Sequence, residues 1–254
     1  MYKTAMESGT LTKADIKRLR DLRDRSGREA SGWHLLEGPR LVQEAHDTGH
    51  LLSVYVDRRE RQVLWKERVT CPVHLLSDID FERISTVGTS QGVFGIGPLF
   101  PRVPFPVLLR SHDRLVLLDG VQDPGIVGTL ARTACALGVT GLLLRGPTAD
   151  PDGQKVLRAS AGALLRMEIG ICEEESLAEI HTAGHQVIVP VVRGGHDLRT
   201  LERFPRFILV AGNEGQGSSL VHPQAIPTTI PMAAKMESLN VAAAAAIILA
   251  HLCL

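Results

Sequence analysis

The second half of the chain alternates short apolar runs with segments of helical pattern, and this alternation limits the fold more than any other feature. Each run is four to six residues long and continuously apolar, which is typical of a strand buried on both faces. The predicted strands are Leu115–Leu118, Gly141–Leu144, Val187–Val192 and Phe207–Ala211. The predicted helices are Val127–Leu137, Val156–Ala161, Glu174–Thr182 and a terminal Ala-rich helix over Glu237–Leu252. Strands that alternate with helices predict an α/β fold with a parallel sheet covered on both faces.

The first half shows the same alternation on a smaller scale, so we expect a separate, smaller α/β domain there. Its predicted strands are Trp33–Leu36, Leu51–Val56, Val73–Leu76 and Val93–Ile96. Its predicted helices are 39–48, Arg59–Arg68 and a helix capped by Asp78 that runs through Ile84. Four prolines between Pro98 and Pro106 are expected to interrupt both helix and sheet. The sequence therefore predicts a first domain over 1–100, a Pro-rich linker over 101–111 and a second domain over 112–254.

The overall charge gives no sign of a polyanionic partner. Lys plus Arg and Asp plus Glu both number 28, so positive charge for nucleic acid must be local. The segment Lys13–Arg28, predicted as one helix, carries seven basic and three acidic side chains, a local balance of +4. A solvated helix face and an RNA phosphate contact both fit this pattern.

The cysteines and the apolar stretches indicate the cellular setting. Cys71, Cys135, Cys172 and Cys253 have spacings that fit neither a disulfide framework nor a zinc module, so we expect buried free thiols. No secretory signal pattern is seen, and Val241–Ala250 is shorter than the about 20 residues that span a bilayer. The sequence predicts a soluble, cytoplasmic protein with no membrane or metal partner.

Several familiar catalytic patterns are absent or misplaced. Gly88–Gly92 has the G-x-S-x-G spacing, but a predicted helix precedes it and a strand follows, the reverse of a nucleophile elbow. We interpret it as a turn. His181 and His185 are four residues apart, but Gly184 lies between them, so a surface helix end is the interpretation. The chain also lacks a G-x-G-x-x-G turn after a strand and a P-loop.

Three segments of the second half combine polar residues with strand ends or helix starts, where α/β proteins gather their ligands. The first is Asp119–Ala134, a strand end followed by a helix that bears Arg132. The second is Ile208–Gly217, where Gly212, Gly215 and Gly217 follow a predicted strand and allow close backbone approach. The third is Ile230–Val241, where Ser238 could cap the terminal helix and a buried Asn240 would need a partner. Taken singly, each segment also fits a ligand-free structure.

Taken together, in this order and spacing, the three segments resemble the motifs of the SpoU-type RNA 2′-O-ribose methyltransferases of the SPOUT superfamily. Lys155–Ala163 resembles the family's central stretch. Leu35–Val42 and Ser90–Val93 resemble the ribosomal-protein-like (L30e-like) RNA-binding domain that often precedes this catalytic domain. The resemblance covers nearly the whole chain. It implies a parallel-sheet SPOUT domain with a deep C-terminal trefoil knot, and a homodimer with the active site at the dimer interface.

The resemblance also implies S-adenosylmethionine as cofactor and assigns the site residues. The implied cofactor-binding residues are Gly212, Asn213, Gly217, Ile230, Met232, Ser238 and Leu239. The implied catalytic residues are Arg132, Glu214, Ser238 and Asn240. A guanidinium stays protonated in proteins, so Arg132 is expected to hold the RNA backbone and stabilise the developing alkoxide rather than act as a simple base.

Two positions depart from the family pattern and keep two functional hypotheses open. Ile126 stands where the family usually has Asn, and it removes an amide that could orient Arg132. Ala234 stands where the family usually has Gly, and it adds a methyl group to the loop near the cofactor. The first hypothesis is an active S-adenosylmethionine-dependent 2′-O-ribose methyltransferase acting on RNA, with ribosomal RNA favoured by the front domain. The second is a catalytically impaired homologue that binds RNA, for example in ribosome assembly.

Overall fold

The computed structural model describes residues 11–59, 68–86, 91–173, 177–220, 223–233 and 237–254. The described strands are β1 (Trp33–Glu37), β2 (Ser53–Asp57), β3 (Val73–Leu76), β4 (Val93–Pro98), β5 (Arg102–Val103), β6 (Arg114–Asp119), β7 (Gly141–Arg145), β8 (Glu168–Ile171), β9 (Gln186–Pro190), β10 (His196–Asp197), β11 (Phe207–Gly212) and β12 (Ala225–Thr229). The described helices are α1 (Lys13–Asp21), α2 (Arg25–Ser31), α3 (Pro39–Asp47), α4 (Asp78–Ile84), α5 (Phe105–Ser111), α6 (Pro124–Ala136), α7 (Gln154–Ser160), α8 (Leu177–Thr182) and α9 (Val241–Cys253).

Internal contacts divide the chain into two compact units. The first contains the described residues up to Leu99 together with Asp152–Leu165, and the second contains Phe100–Pro151 and Arg166–Leu254. The chain divides near residue 100, as predicted. The observed division differs from the predicted one because Asp152–Leu165 groups with the first unit. Sequence order alone assigned that segment to the second domain.

The first unit is built on a four-stranded mixed sheet in the order β1-β4-β2-β3. Strand β4 runs antiparallel to both β1 and β2, whereas β2 and β3 are parallel. Leu35, Tyr55 and Phe94 are fully buried on one face, where the rings of Tyr55 and Phe94 stack with centroids 5.0 Å apart. Helices α1 and α4 pack together over this face through Leu19 and Phe81. The strands therefore bury one continuous apolar face under helices.

The segment predicted as a single helix over Lys13–Arg28 is two helices, α1 and α2. The Arg28 guanidinium is buried and donates to the carbonyl oxygens of Leu22 at 3.2 Å and Arg23 at 3.0 Å. Both carbonyls lie in the turn between the two helices. Arg23 in turn donates to the Ile84 carbonyl at 2.9 Å, at the end of α4. Two of the seven basic residues therefore bind backbone carbonyls, which periodicity alone could not reveal.

Two further predictions in the first unit need correction or lie outside the described residues. Helix α4 is capped by Ser77, whose hydroxyl accepts from the Asp80 amide at 3.2 Å, and not by Asp78, which is already the first helical residue. Ser77 has the extended backbone that a capping residue requires. The predicted helix over Arg59–Arg68 and the turn over Gly88–Gly92 lie largely outside the described residues.

Helix α7 joins the first unit through buried polar contacts. Asp152 lies 2.9 Å from Nδ1 of His34, and both side chains are almost fully buried. Arg158 lies 3.3 Å from the buried carboxylate of Glu37, which also accepts from the Thr86 amide at 2.9 Å. A buried charge needs such partners, so these contacts specify where the segment docks.

We expect the end of α7 to be strained, because Ala161 adopts φ +50°, a left-handed conformation that favours glycine. Replacing Ala161 with Gly should raise the free energy of unfolding by about 0.5 kcal/mol, the relief of strain exceeding the added chain entropy. Urea denaturation measures the change. The matched variant Gly162→Ala should lose stability, since Gly162 has φ +91° and an added Cβ would lie 2.6 Å from Cγ of Glu44. A loss of stability in Ala161→Gly would contradict the prediction.

The second unit contains an eight-stranded sheet in the order β10-β12-β9-β11-β6-β7-β8-β5. All pairings between its described strands are parallel. The central strand β6 is buried throughout Leu115–Leu118, as its continuous apolar run predicted. The α/β class, the parallel sheet and the smaller preceding α/β unit are confirmed, whereas the trefoil knot stays a prediction from the resemblance.

The predicted Pro-rich linker over 101–111 is wrong as a description of local structure. Arg102–Val103 forms the edge strand β5, paired with β8, and Phe105–Ser111 forms α5. Prolines are tolerated there because Pro104 is the cap of α5 and Pro106 lies in its first turn, where the missing amide has no helical partner to lose. Phe105, Leu108 and Leu109 are buried, so this segment belongs to the core.

Two helices of the second unit begin at residues different from those predicted, and the predicted start of a third lies outside the described residues. Helix α6 begins at Pro124 rather than Val127, because the Asp123 carboxylate caps the Ile126 amide at 2.9 Å. Helix α9 begins at Val241 rather than Glu237. Of the segment predicted as a helix over Glu174–Thr182, residues 174–176 lie outside the described part, and α8 covers the rest.

The cysteines and His185 also differ in part from expectation. All four cysteines are free, but only Cys172 is buried and the others are partly exposed. His185 is buried rather than at a surface helix end, and its Nε2 lies 2.9 Å from the His112 carbonyl oxygen. Burial lowers the pKa of His185. In the described part of the chain, no group of three His, Cys, Asp or Glu side chains could hold a metal ion, and no helix is long and apolar enough to cross a membrane.

Candidate functional site

A cavity of about 630 Å³ opens where three neighbouring parallel strands end. Its lining begins at the carboxyl ends of β9, β11 and β12, and it is completed by the residues before and within the first turn of α9. Ligands of open α/β sheets bind at this edge, and the volume lies within the about 300–1,000 Å³ of small-molecule sites. The described residues of the second unit therefore form a cavity of the size and position expected for a small-molecule site.

Nearly all site residues implied by the resemblance line this cavity. They are Gly212, Asn213, Glu214, Gly217, Ile230, Met232, Ser238, Leu239 and Asn240. These residues come from two segments that are separated in sequence and brought together by the crossover from β11 through β12 to α9. Arg132, the remaining implied residue, is not in the lining.

The loop that follows β11 is held in shape by Asn213. Its side-chain oxygen accepts from the amides of Gly215 at 2.9 Å and Gln216 at 3.2 Å, while its side-chain nitrogen donates to the Gly120 carbonyl at 3.1 Å. Its backbone exchanges two hydrogen bonds of 2.9 Å with Gly217, which has φ +75°. Asn213 therefore shapes the loop with its side chain, and the loop's backbone and the neighbouring Glu214 face the cavity.

The close approach of the two ends of this loop depends on Gly212. A Cβ at this position would lie 2.2 Å from the Ser218 amide nitrogen and 2.4 Å from the Gly217 carbonyl carbon. These are backbone atoms, so the contact could be relieved only by moving the loop. The resemblance assigned Gly212 to cofactor binding, and the structure shows the physical requirement for glycine here.

Asn240, and not Ser238, caps α9. The Asn240 side-chain oxygen accepts from the Ala242 amide at 2.9 Å, and its backbone is extended. Both Ser238 and Asn240 are exposed to solvent and line the cavity. Asn240 was predicted to enter a buried helical face and need a partner. Its partner is instead the free amide of the first turn.

Replacing Asn240 with Ala should lower the free energy of unfolding by about 1 kcal/mol, because the cap of α9 is lost. Asn240→Asp keeps a capping oxygen and should retain stability, and Ser238→Ala should also retain it. Urea denaturation of the three variants is the measurement. An equal loss in Ser238→Ala and Asn240→Ala would argue that the cap is assigned to the wrong residue.

The sequence analysis did not identify one wall of the cavity. It consists of Val189–Val192, at and just beyond the end of β9. The signal that could have found it is topological: β9 lies next to β11 in the sheet, so its carboxyl end must lie at the same edge. Among the described lining residues, Glu214 carries the only formal charge. An apolar wall facing a polar, backbone-rich loop suits a ligand that has an apolar part and several hydrogen-bonding groups.

Arg132 lies on the exposed side of α6, the helix that follows β6. Within the described residues it makes no hydrogen bond or ion pair, so its guanidinium is available to an external anion. Helix α6 packs against α9, which begins at the cavity. Ile126 is half-buried in the first turn of α6, and Ala234, the second departure from the family pattern, lies outside the described residues.

Two families match separate parts of the chain. Residues 113–250 match the family described as the SpoU rRNA Methylase family. Residues 13–95 match the family described as the MRM3-like substrate binding domain. The first match spans more than half of the chain and includes the whole cavity lining.

Similar proteins cover almost the entire chain. An uncharacterized tRNA/rRNA methyltransferase of Synechocystis is 32% identical over 98% of this chain and 95% of its own length. The 23S rRNA (guanosine(2553)-2′-O)-methyltransferase of Bacillus subtilis is 28% identical over 93% of this chain and 95% of its own. The solved structure of an AdoMet-bound rRNA methyltransferase from Sinorhizobium meliloti has a TM-score of 0.78 at 29% identity and covers 95% of both chains.

Proposed function

We propose that this chain, which belongs to the SpoU rRNA methylase family, transfers a methyl group from S-adenosylmethionine to a ribose 2′-hydroxyl of ribosomal RNA. The observation that carries the proposal is the cavity at the ends of β9, β11 and β12, lined by residues of the second and third family motifs. The Bacillus subtilis relative is named as a 23S rRNA 2′-O-methyltransferase and matches this chain along nearly its full length, which supports the choice of substrate.

The cavity fits S-adenosylmethionine by size and chemistry. Val189–Val192 would contact the adenine ring, while the backbone of 212–217 and the Ser238 hydroxyl would hydrogen-bond the polar groups. Glu214, as an anion at the lining, would favour the positive charge of the bound molecule. When bound, S-adenosylmethionine supplies a methyl group that is already activated by its sulfonium. The chain's own residues then have mainly to hold the ribose hydroxyl in line with that group.

Arg132 would supply the positive charge on the RNA side. A guanidinium binds phosphate in a fixed fork geometry and stays protonated, so it can hold the backbone and stabilise negative charge on the attacking oxygen. In the homodimer that the family resemblance implies, Arg132 of one copy would complete the site of the other. Ile247 on α9 and Leu254, the residue that follows this helix, are exposed and would give such a dimer apolar surface to bury.

The first unit would bring the ribosomal RNA to the site. Its match to a substrate binding domain supports this role, and the exposed basic residues Lys13, Lys17 and Arg20 on α1 offer phosphate contacts. Acting on ribosomal RNA implies a cytoplasmic location in a bacterial-type cell. The trefoil knot remains part of the same proposal.

Calorimetric titration with S-adenosylmethionine, followed by transfer of a labelled methyl group to deproteinised ribosomal RNA, tests the function. We expect binding at the dimer's sites and a 2′-O-methylated nucleoside after nuclease digestion and mass spectrometry. Label on transfer RNA alone would overturn the choice of ribosomal RNA. RNA binding without transfer would favour the RNA-binding homologue to which Ile126, in place of the usual Asn, also points.

A further inference from the structure

We propose that Asp119 is a positioning residue that holds the loop 212–218 in the shape that binds S-adenosylmethionine. This proposal rests on the proposed function, because it concerns the same cavity. Asp119 is the last residue of β6 and does not line the cavity. It therefore acts on the ligand only through the loop, and no role in the chemistry is assigned to it.

The Asp119 carboxylate binds the segment in which the loop returns to the sheet. Its Oδ2 accepts from the Ser218 hydroxyl at 2.8 Å and from the backbone amides of Ser219 at 2.6 Å and Leu220 at 3.1 Å. Its Oδ1 accepts from the Arg145 guanidinium at 2.6 Å. Hydrogen bonds to a carboxylate are shorter and stronger than those between neutral groups, so this one side chain fixes three consecutive residues.

The register of the sheet brings Asp119 close to both the start and the end of the loop. Strands β6 and β11 are parallel neighbours, and Gly212, where the loop leaves β11, is paired directly with Asp119. The carboxylate of that residue holds 218–220, where the loop comes back. The next residue, Gly120, accepts from the Asn213 side chain at 3.1 Å. The loop is therefore closed against the end of β6 by contacts at its start and at its end.

Charge and burial make this arrangement sensitive to the carboxylate. The Asp119 side chain is 3% exposed and Arg145 is 13% exposed. Burial opposes ionisation of Asp119, but the bonds from Ser218, Arg145 and Ser219 together outweigh it and hold the pKa of this carboxyl below its usual value. Arg145 also donates to the Ser219 hydroxyl at 2.7 Å, so the cation binds the loop as well as the carboxylate. An uncharged group in place of the Asp119 carboxylate would weaken the hydrogen bonds that this side chain accepts from Arg145 and from 218–220.

The test compares Asp119→Asn with Asp113→Asn. Asp113 lies at the opposite end of the same strand region, is 69% exposed, and pairs with Arg206 away from the cavity lining. We expect the Kd of Asp119→Asn for S-adenosylmethionine, measured by calorimetry on the full chain, to rise about ten-fold, equivalent to about 1.4 kcal/mol. The KM for S-adenosylmethionine should rise with it, while the kcat at saturating cofactor and the KM for RNA stay within about two-fold. Asp113→Asn should match the wild type.

A second variant keeps the proposal testable if Asp119→Asn does not fold. Ser219→Ala removes only the hydroxyl between Arg145 and Asp119, on a residue that does not line the cavity. It should raise the Kd for S-adenosylmethionine about three-fold without lowering kcat. Wild-type affinity in a folded Asp119→Asn or Ser219→Ala would overturn the positioning role, as would a fall in kcat with an unchanged KM. A wild-type protein that binds no S-adenosylmethionine would instead overturn the proposed function, which separates the two failures.

Discussion

Arg132→Ala is expected to lower methyl transfer to RNA about a hundred- to a thousand-fold, the loss typical of removing one group that stabilises developing negative charge. Arg132 is exposed and makes no ion pair within the described residues, so its removal leaves no buried charge unpaired. The free energy of unfolding and the affinity for S-adenosylmethionine should therefore stay at wild-type values. The measurement is the initial rate of labelled methyl transfer, together with calorimetry and urea denaturation on the same preparation.

The matched control for this variant is Arg110→Ala. Arg110 is another exposed arginine of the second unit, on α5 and outside the cavity lining. Equal losses in the two variants would mean that general positive charge, and not Arg132, supports the reaction. Full activity of Arg132→Ala would remove this residue from the mechanism, and lost cofactor affinity would place it at the cofactor instead.

Gly212→Ala should lower the affinity for S-adenosylmethionine about a hundred-fold, because an ångström-scale displacement of a binding group costs about that factor. The added Cβ would lie 2.2 Å from the Ser218 amide nitrogen, a backbone atom that cannot rotate away. Relief requires opening the loop where Asn213 and Gly217 bridge. Calorimetric titration of the folded variant measures the loss.

The comparison variant is Gly215→Ala in the same loop. An added Cβ there would meet only the Asn213 side-chain oxygen, at the ordinary distance of 3.5 Å. We expect this variant to lose far less affinity than Gly212→Ala. Similar losses in both would show that the loop tolerates no added side chain at all, and the specific steric requirement at Gly212 would be wrong.

The family and the parallel sheet could be predicted because both depend on short-range patterns. The continuous run Leu115–Leu118 is buried throughout and pairs in parallel on both sides, as its composition predicted. The motif segments 208–217 and 230–241 led to a family that the matches confirm. The residues assigned from those motifs also line one cavity, while their individual roles in binding and catalysis stay predictions.

Helix boundaries and polar roles were predicted less well, because each depends on a contact that periodicity does not encode. The single helix over Lys13–Arg28 divides in two where buried Arg28 binds the carbonyls of Leu22 and Arg23. The predicted linker over 101–111 forms β5 and α5 because β8 offers a free edge and Phe105 finds an apolar core. Asn240 was predicted to enter a buried helical face and need a partner there, but it is exposed and caps α9.

By itself the sequence determined the class of fold and the segments that carry the site, since strand and helix periods and motif spacing are local properties of the chain. Only the tertiary structure decided which residues hold those segments. Asp119 and Ser219 are 100 residues apart and meet because β6 and β11 are neighbours in the sheet. The segment Asp152–Leu165 joined the first unit because Asp152 and Arg158 find buried partners there. Pairings of this kind depend on the register and order of distant strands, which no local pattern of residues specifies.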